Sequence, residues 1–508
     1  MKRFTTIAAA LLLTPALVLT GCGASGDKGA SPAGGDKAQT EAKKEMVTIK
    51  VAGFSDFFKG DDSPGMKVVK DFNDKYKGQI NVVVQYMPTS QYSTAIQAAI
   101  ASNDLPDIFL TPQGMDLRQI VKSGWAKPLD EYVSKNFKDR FTTGSFEDGV
   151  NVFEGKTYSW PLGGQNMRSM LYYNKKVMRD AGLDPNKPPK TWDELRQMSK
   201  VIADKGKGDV YGLIFPGGEP IPMDQVVMGL TASAIPTHGD LPGFNLKTGK
   251  YVFDSKEWTD AVKLLQAMKK DGSILPSSYS LKAPEATVLF GENKAAFFID
   301  ARYRMWQVKR DVPNAEFDMS PVPQQDGKEP FYGYTLASRA GYMISSNSKH
   351  PEVAGKFIDE AFASKEFFKS TLQSGVSMTP IDELNKDKSL YPYPEFNTFY
   401  NLHMTEMRLG PSTTKRNPNT ANVIAELGEM RQSKIKPIFG DLLITLLMED
   451  KGNVDSVLKD YNSKLNAGLQ AAIDKVNKSG AEVSLNDFTF PNWDPAKDYT
   501  DDMYKALK

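Results

Sequence analysis

The residues that could do chemistry in this chain are few and scattered. Its three histidines, His238, His350 and His403, lie far apart, and no His-Glu-x-x-His occurs, so zinc chemistry has no motif to rest on. Gly155-Lys156-Thr157 looks like the end of a phosphate-binding loop, but the earlier glycine such a loop requires falls on Val150. Gly155 therefore reads as a turn. Gly206 and Gly208 open a Gly-x-Gly-x-x-Gly pattern that Tyr211 breaks, and Gly-x-Ser-x-Gly is absent. The stretch Asp204 to Asp209 has too few oxygen ligands for a calcium loop and holds Lys205 and Lys207 inside it. No metal and no cofactor is expected. A carboxylate pair for glycoside hydrolysis needs no sequence signature, so that chemistry stays open.

Cys22 is the exception. It is the single cysteine among 508 residues, so no disulfide within the chain is possible. Lys2 and Arg3 precede a largely apolar run from Phe4 to Thr20, the pattern of a secretory signal peptide at residues 1–21. The run is too short and wrongly flanked for a stable membrane span. Its ending, Leu19-Thr20-Gly21-Cys22, resembles a bacterial lipobox. That resemblance implies cleavage before Cys22 and lipidation of its sulfur, which would hold the protein at the outer face of the bacterial cytoplasmic membrane. Residues 22–45 then form the lipidated cysteine and a tether. Gly23 to Glu45 has no aliphatic side chain larger than alanine and no aromatic, so it cannot bury enough surface to order itself.

Structure is expected from Met46 onward. Hydrophobic residues make up 40% and aromatics 10%, enough for two or three globular domains. Without Lys2 and Arg3 the 63 basic residues become 61, against 62 acidic ones. That balance argues against a nucleic-acid partner, which would need a basic surface. Leu442 to Met448 is apolar but too short to span a membrane.

Alternation over Val47 to Val51, a helical face of Met66, Val68, Val69 and Phe72, a β-rich stretch Ile80 to Val84, an alanine-rich helix at Ala95 to Ala101 and a buried strand at Asp107 to Leu110 predict a parallel sheet flanked by helices. Thr191-Trp192-Asp193-Glu194 predicts a capping box opening a helix through Ile202. Further strands are expected at Tyr211 to Phe215 and Ala295 to Ile299. An amphipathic helix is expected from Asp254 to Lys270, ending before Gly272, and another from Pro351 to Phe362. From Asn422 to Lys478 the chain reads as almost wholly helical, broken at Pro437, Gly440 and Gly452.

Several segments together resemble the extracellular solute-binding lipoproteins of bacterial ABC importers, in particular the carbohydrate-binding, maltose-binding-protein-like family. They are Leu105-Pro106-Asp107-Ile108, Gly124-Trp125-Ala126-Lys127-Pro128-Leu129, Gly155-Lys156-Thr157-Tyr158-Ser159-Trp160-Pro161, Tyr173-Asn174-Lys175, Pro189-Lys190-Thr191-Trp192-Asp193-Glu194-Leu195, Asn293-Lys294-Ala295-Ala296-Phe297, Pro321-Val322-Pro323 and His350-Pro351-Glu352-Val353-Ala354. Their order across about residues 105–360 carries the resemblance. The helical C-terminal region, with Lys451-Gly452, is similar to the longer members of roughly 500 residues. Some of those carry a calcium loop where this chain has Asp204 to Asp209, a departure from the pattern.

The resemblance implies an α/β, two-lobed, periplasmic-binding-protein-like (type II) fold with discontinuous lobes. Residues 46–164 and 325–378 would form lobe 1, and residues 165–324 and 379–508 lobe 2. Crossings are expected near Pro161–Arg168, Ser320–Gln325 and Met378–Thr379. Residues expected to face a ligand follow the strands: Ser55 and Asp56, Thr111 and Gln113, Gln165, Asn166 and Arg168, Glu219, Asp300, Arg302 and Tyr303, and Tyr332 and Tyr334. Thr111 replaces a family aromatic, and Arg302 stands where a stacking aromatic is usual. The implied function is capture of a carbohydrate, an oligosaccharide, and its delivery as a monomer to the permease subunits and their ATPase, without bond chemistry. The two arginines suggest an acidic oligosaccharide, since a guanidinium matches a carboxylate bidentately. The alternatives are an exported glycoside hydrolase, which needs two carboxylates facing a cleft, and a surface adhesin, which needs an exposed apolar patch.

Overall fold

The structure, a computed structural model, describes residues 45–507 except 55–56, 113–114, 166–168, 239–241, 339 and 449–452. The signal peptide, Cys22 and nearly all of the tether lie outside the described residues, as do Ser55, Asp56, Gln113, Asn166, Arg168 and Lys451-Gly452.

The alternation that begins at Val47 becomes the strand Val47–Phe54, which pairs in parallel with Ile80–Met87 and with Ile108–Leu110. Tyr342–Ser345 runs antiparallel to Ile108–Leu110, and Ala126–Lys127 closes the edge of this five-stranded sheet. Successive side chains of a strand point to opposite faces, and here both faces are covered. Ile49, Val51, Ile108, Tyr342 and Ile344 pack with Val68 and Phe72 of helix Pro64–Lys75 and with Phe357 and Phe362. Ala52, Phe109 and Met343 turn the other way, onto Tyr92, Ile96, Leu117 and Ile120. Asp107, in the Leu-Pro-Asp-Ile entry, accepts from the Lys50 amide at 2.8 Å and the Ser348 hydroxyl at 2.5 Å, which pins the strand start.

A second sheet orders its strands Phe317–Ser320, Met170–Asn174, Ala295–Asp300 and Tyr211–Ile214. Met170, Tyr172 and Phe298 face one side, and Leu171, Tyr173, Phe297 and Ile299 the other. The second side is covered by helices Trp192–Gly206 and Lys256–Lys270 and by the C-terminal helices Thr420–Ser433, Phe439–Met448 and Val454–Lys478, through Trp258, Leu265, Leu427, Leu443 and Leu465. The Tyr-Asn-Lys motif has a physical meaning at this edge. Asn174 caps helix Lys175–Asp180 by accepting from the Val177 amide, and Lys175 pairs with Asp318 at 2.8 Å. The capping box at Thr191 is formed with Glu194, and the Trp192 indole donates to the Leu230 carbonyl at 3.1 Å.

The passages between the two sheets run close together. The Gly164 amide donates to the Met378 carbonyl at 2.9 Å. A Cβ on Gly164 would lie 2.4 Å from the Thr379 carbonyl oxygen, so only glycine allows this apposition. The passage expected at Ser320–Gln325 comes later. Gln324 is buried in the second lobe, donating to the Gly229 and Val322 carbonyls and accepting from the Ser233 amide. The chain enters the first sheet only at Tyr342, after Tyr332–Tyr334 has joined a small parallel sheet with Met407–Leu409 and Thr237–His238. Among the described residues no helix is long and apolar enough to cross a membrane.

Candidate ligand-binding cleft

A cavity of about 490 Å³ lies between the two lobes. Phe57, Asp116, Glu147 and Val150 line it from the first, and Met228, Leu246 and Arg302 from the second. Its floor is the passages themselves, Pro161 to Gly164, Tyr332 to Ala337 and Ser377, and a further wall comes from Pro411 to Thr414. A second hollow, lined by Ala203, Tyr211, Lys269 and Tyr279, involves neither the first sheet nor the passages.

The floor is aromatic and polar. Tyr334 lies on it, and its hydroxyl accepts from the Gln165 amide nitrogen at 2.7 Å. The buried Oε1 of Gln165 has no hydrogen-bond partner, nor has the Tyr332 hydroxyl. Both atoms are closed off from the cavity, and Gln165 is not among its lining residues. Arg302 lies in the wall, with Nη1 donating to the Val376 carbonyl at 2.9 Å, just before the passage residue Ser377. Beneath the floor, burial lowers His403 to about 3, and its Nδ1 sits 2.8 Å from the Phe399 carbonyl. This imidazole is neutral and structural.

The other expected contacts fall elsewhere. Asp300 is fully buried, with its carboxylate on the Arg304 guanidinium at 2.7 Å and on the Ala301 amide at 2.6 Å. Burial raises its pKa, against the pull of Arg304. Its role is to hold the turn that presents Arg302. Tyr303 faces Asp300 and Gln225, and burial pushes its hydroxyl up to about 12. Thr111 is buried, exchanging hydrogen bonds with the Gly341 backbone at 3.2 Å. Glu219 precedes helix Pro220–Leu230 and is not among the cavity-lining residues.

Asp116, Glu147 and the segment Pro411 to Thr414 line the cavity without a sequence signal that points to it. Asp116 carries a local signal, since it caps helix Leu117–Lys122 by accepting from the Arg118 amide at 2.8 Å. Ser412 carries one too, as the cap of helix Thr413–Arg416. Neither signal points to a cleft, because the segments meet across hundreds of residues. Among the described residues, the charged side chains lining the cavity are Asp116, Glu147 and Arg302.

Residues 59–366, more than half of the chain, match the family described as bacterial extracellular solute-binding protein. The chain belongs to that family. Among curated relatives of this solute-binding protein, a chain of Brucella abortus (strain 2308) described as a binding protein is 27% identical over 355 residues, 70% of this chain and 77% of that one. The melibiose/raffinose/stachyose-binding protein MelE of Bacillus subtilis (strain 168) is 23% identical over 333 residues, 63% of this chain and 70% of MelE. Among solved structures, an ABC transporter solute-binding protein from Thermotoga lettingae, bound with alpha-D-tagatose, superposes with a TM-score of 0.60 at 20% identity, covering 83% of this chain and 99% of that one. The maltose-bound MalE3 of T. maritima gives 0.59 at 17% identity, with 83% and 99% covered. At these identities the likeness is one of fold, and the fold of this solute-binding protein is their two-lobed α/β architecture.

Proposed function

We propose that this chain captures a neutral oligosaccharide between its lobes and presents it to an ABC permease, held at the outer face of the membrane by a lipid on Cys22. The observation that carries the reading is the cleft itself. Its lining combines Tyr332 and Tyr334 with the polar side chains of Thr335, Ser338, Ser377 and Ser412, the mixture that suits a sugar, whose C–H faces stack on rings and whose hydroxyls take polar partners. Among the described residues, the charge of the lining favours a neutral ligand over the acidic one expected from Arg302 and Arg168, the latter lying outside the described residues. Among the described lining residues, Asp116 and Glu147 stand against the Arg302 guanidinium, which already bonds the Val376 carbonyl. A uronate would bring a further negative charge toward these two carboxylates. The volume suits roughly two or three sugar rings.

Several relatives support a sugar. MelE is named for melibiose, raffinose and stachyose, and a structure of RafE in complex with raffinose shares the fold with a TM-score of 0.57. The two carboxylates of the lining do not favour a hydrolase, because each has a structural task. Asp116 caps a helix and Glu147 accepts from the Ser412 hydroxyl. Titration calorimetry of raffinose, stachyose and maltotriose against oligogalacturonates tests the proposal. At least one neutral sugar should bind and be recovered uncut. Binding of oligogalacturonates alone, or recovery of cleaved sugar, would overturn it.

A further inference from the structure

The segment from Pro411 to Pro418 is built into the second lobe. It leads into helix Thr420–Ser433, whose Val423 and Leu427 pack in that lobe's core, and the Asn417 amide donates to the Glu482 carbonyl at 2.7 Å. Yet it grips the first lobe at two points. The Ser412 hydroxyl, which accepts from the Lys415 amide as a helix cap, donates to the Glu147 carboxylate. The Pro418 carbonyl accepts from the Arg118 guanidinium at 2.6 Å. The partners are 265 and 300 residues apart in sequence.

Both first-lobe groups are held in place. Arg118 sits on helix Leu117–Lys122, whose Leu117 and Ile120 pack under the first sheet. The backbone amide of Glu147 donates to Asn151 at 2.9 Å. Between the two grips lies Gly149, at φ +76°, where a Cβ would stand 2.8 Å from Thr414 and 3.2 Å from Pro418. The close approach needs glycine for both its conformation and its missing side chain.

We propose that residues 411–418 are a clasp, reaching from the second lobe to hold the cleft shut on Glu147 and Arg118, so that this contact helps set the residence time of the bound solute. Hydrogen bonds made only in the closed arrangement stabilise that arrangement with or without ligand, and tighten apparent affinity by raising the closed fraction. Each neutral or charge-assisted bond contributes modestly against water, so two of them bias closure without locking it.

The inference deepens the capture reading and rests on it only for a ligand arm. Arg118→Ala is the cleanest variant, because Arg118 does not line the cavity. Gly149→Ala is the second, acting on the same contact by crowding. Ser412→Ala is avoided, since it also removes a helix cap. The full chain carrying Cys22→Ser has no other cysteine, so Lys122→Cys and Lys270→Cys, both exposed, can take spin labels on the two lobes. Without ligand, Arg118→Ala and Gly149→Ala should both shift the distance distribution toward longer separations. In the ligand arm, raffinose should leave the variants about three- to tenfold faster. Distance distributions that match the parent in both variants would overturn the clasp. If raffinose does not bind the parent, the assignment of that sugar fails, and the ligand-free distances still decide the clasp.

Discussion

Replacing Glu406 by glutamine should make the protein more stable at neutral pH. Glu406 ends helix Glu395–Glu406, just before the strand Met407–Leu409 that pairs with Tyr332–Tyr334 under the cleft. It is 1% exposed, and neither carboxylate oxygen has a hydrogen-bond partner. Burial, with the charge of Glu329 second, pushes its pKa from 4.5 up to about 9. The folded chain therefore keeps a proton that the unfolded chain releases near pH 4.5. A group raised in this way gives its full stability below the unfolded pKa, loses it steadily as pH climbs toward 9, and is level above that. At 1.36 kcal/mol per unit, holding the proton at pH 7 costs about 3 kcal/mol. Glutamine keeps the shape and has no charge to suppress. Urea unfolding at a series of pH values between about 5 and 9 reads the difference. The variant should nearly match the parent at the acid end, gain about 2–3 kcal/mol at pH 7 and gain more at the alkaline end. Parallel pH profiles, or a variant less stable than the parent at the alkaline end, would refute a buried neutral acid at this position.

Gly164→Ala should cost about 1–3 kcal/mol, because the new methyl meets the Thr379 carbonyl and must push the two passages apart. Thermal unfolding checks the loss. Asp300→Ala should cost about 3–5 kcal/mol, since it leaves the Arg304 guanidinium buried without its carboxylate. A loss under 1 kcal/mol in urea titration would show that water reaches Arg304. Cys22→Ser should release the protein from membranes on fractionation while leaving its circular dichroism unchanged, and continued membrane association would point to another anchor.

What the sequence made readable was local. The box at Thr191 and Glu194 forms, the helix expected from Asp254 runs over Lys256–Lys270, and Gly272 takes φ +67° just beyond its end. Each depends on neighbours within a few residues, so periodicity and capping chemistry suffice to find them. Gly155 is likewise a turn glycine, at φ +75° between the short strands Val152–Phe153 and Lys156–Thr157. The cleft was readable only as a place. Arg302 does lie on the cavity, but its bond to the Val376 carbonyl spans 74 residues and has no local signature. Asp300 left a usable hint, because Arg304 stands four residues on, the spacing of a helical ion pair. The wall at Pro411 to Thr414 left none. It depends on the chain returning to the first lobe after most of the second has been built.

Small-angle scattering with and without a saturating neutral sugar identified by calorimetry tests capture between the lobes most directly. The radius of gyration should fall with ligand, as the lobes close on the cleft. An unchanged radius at full occupancy would contradict capture between the lobes.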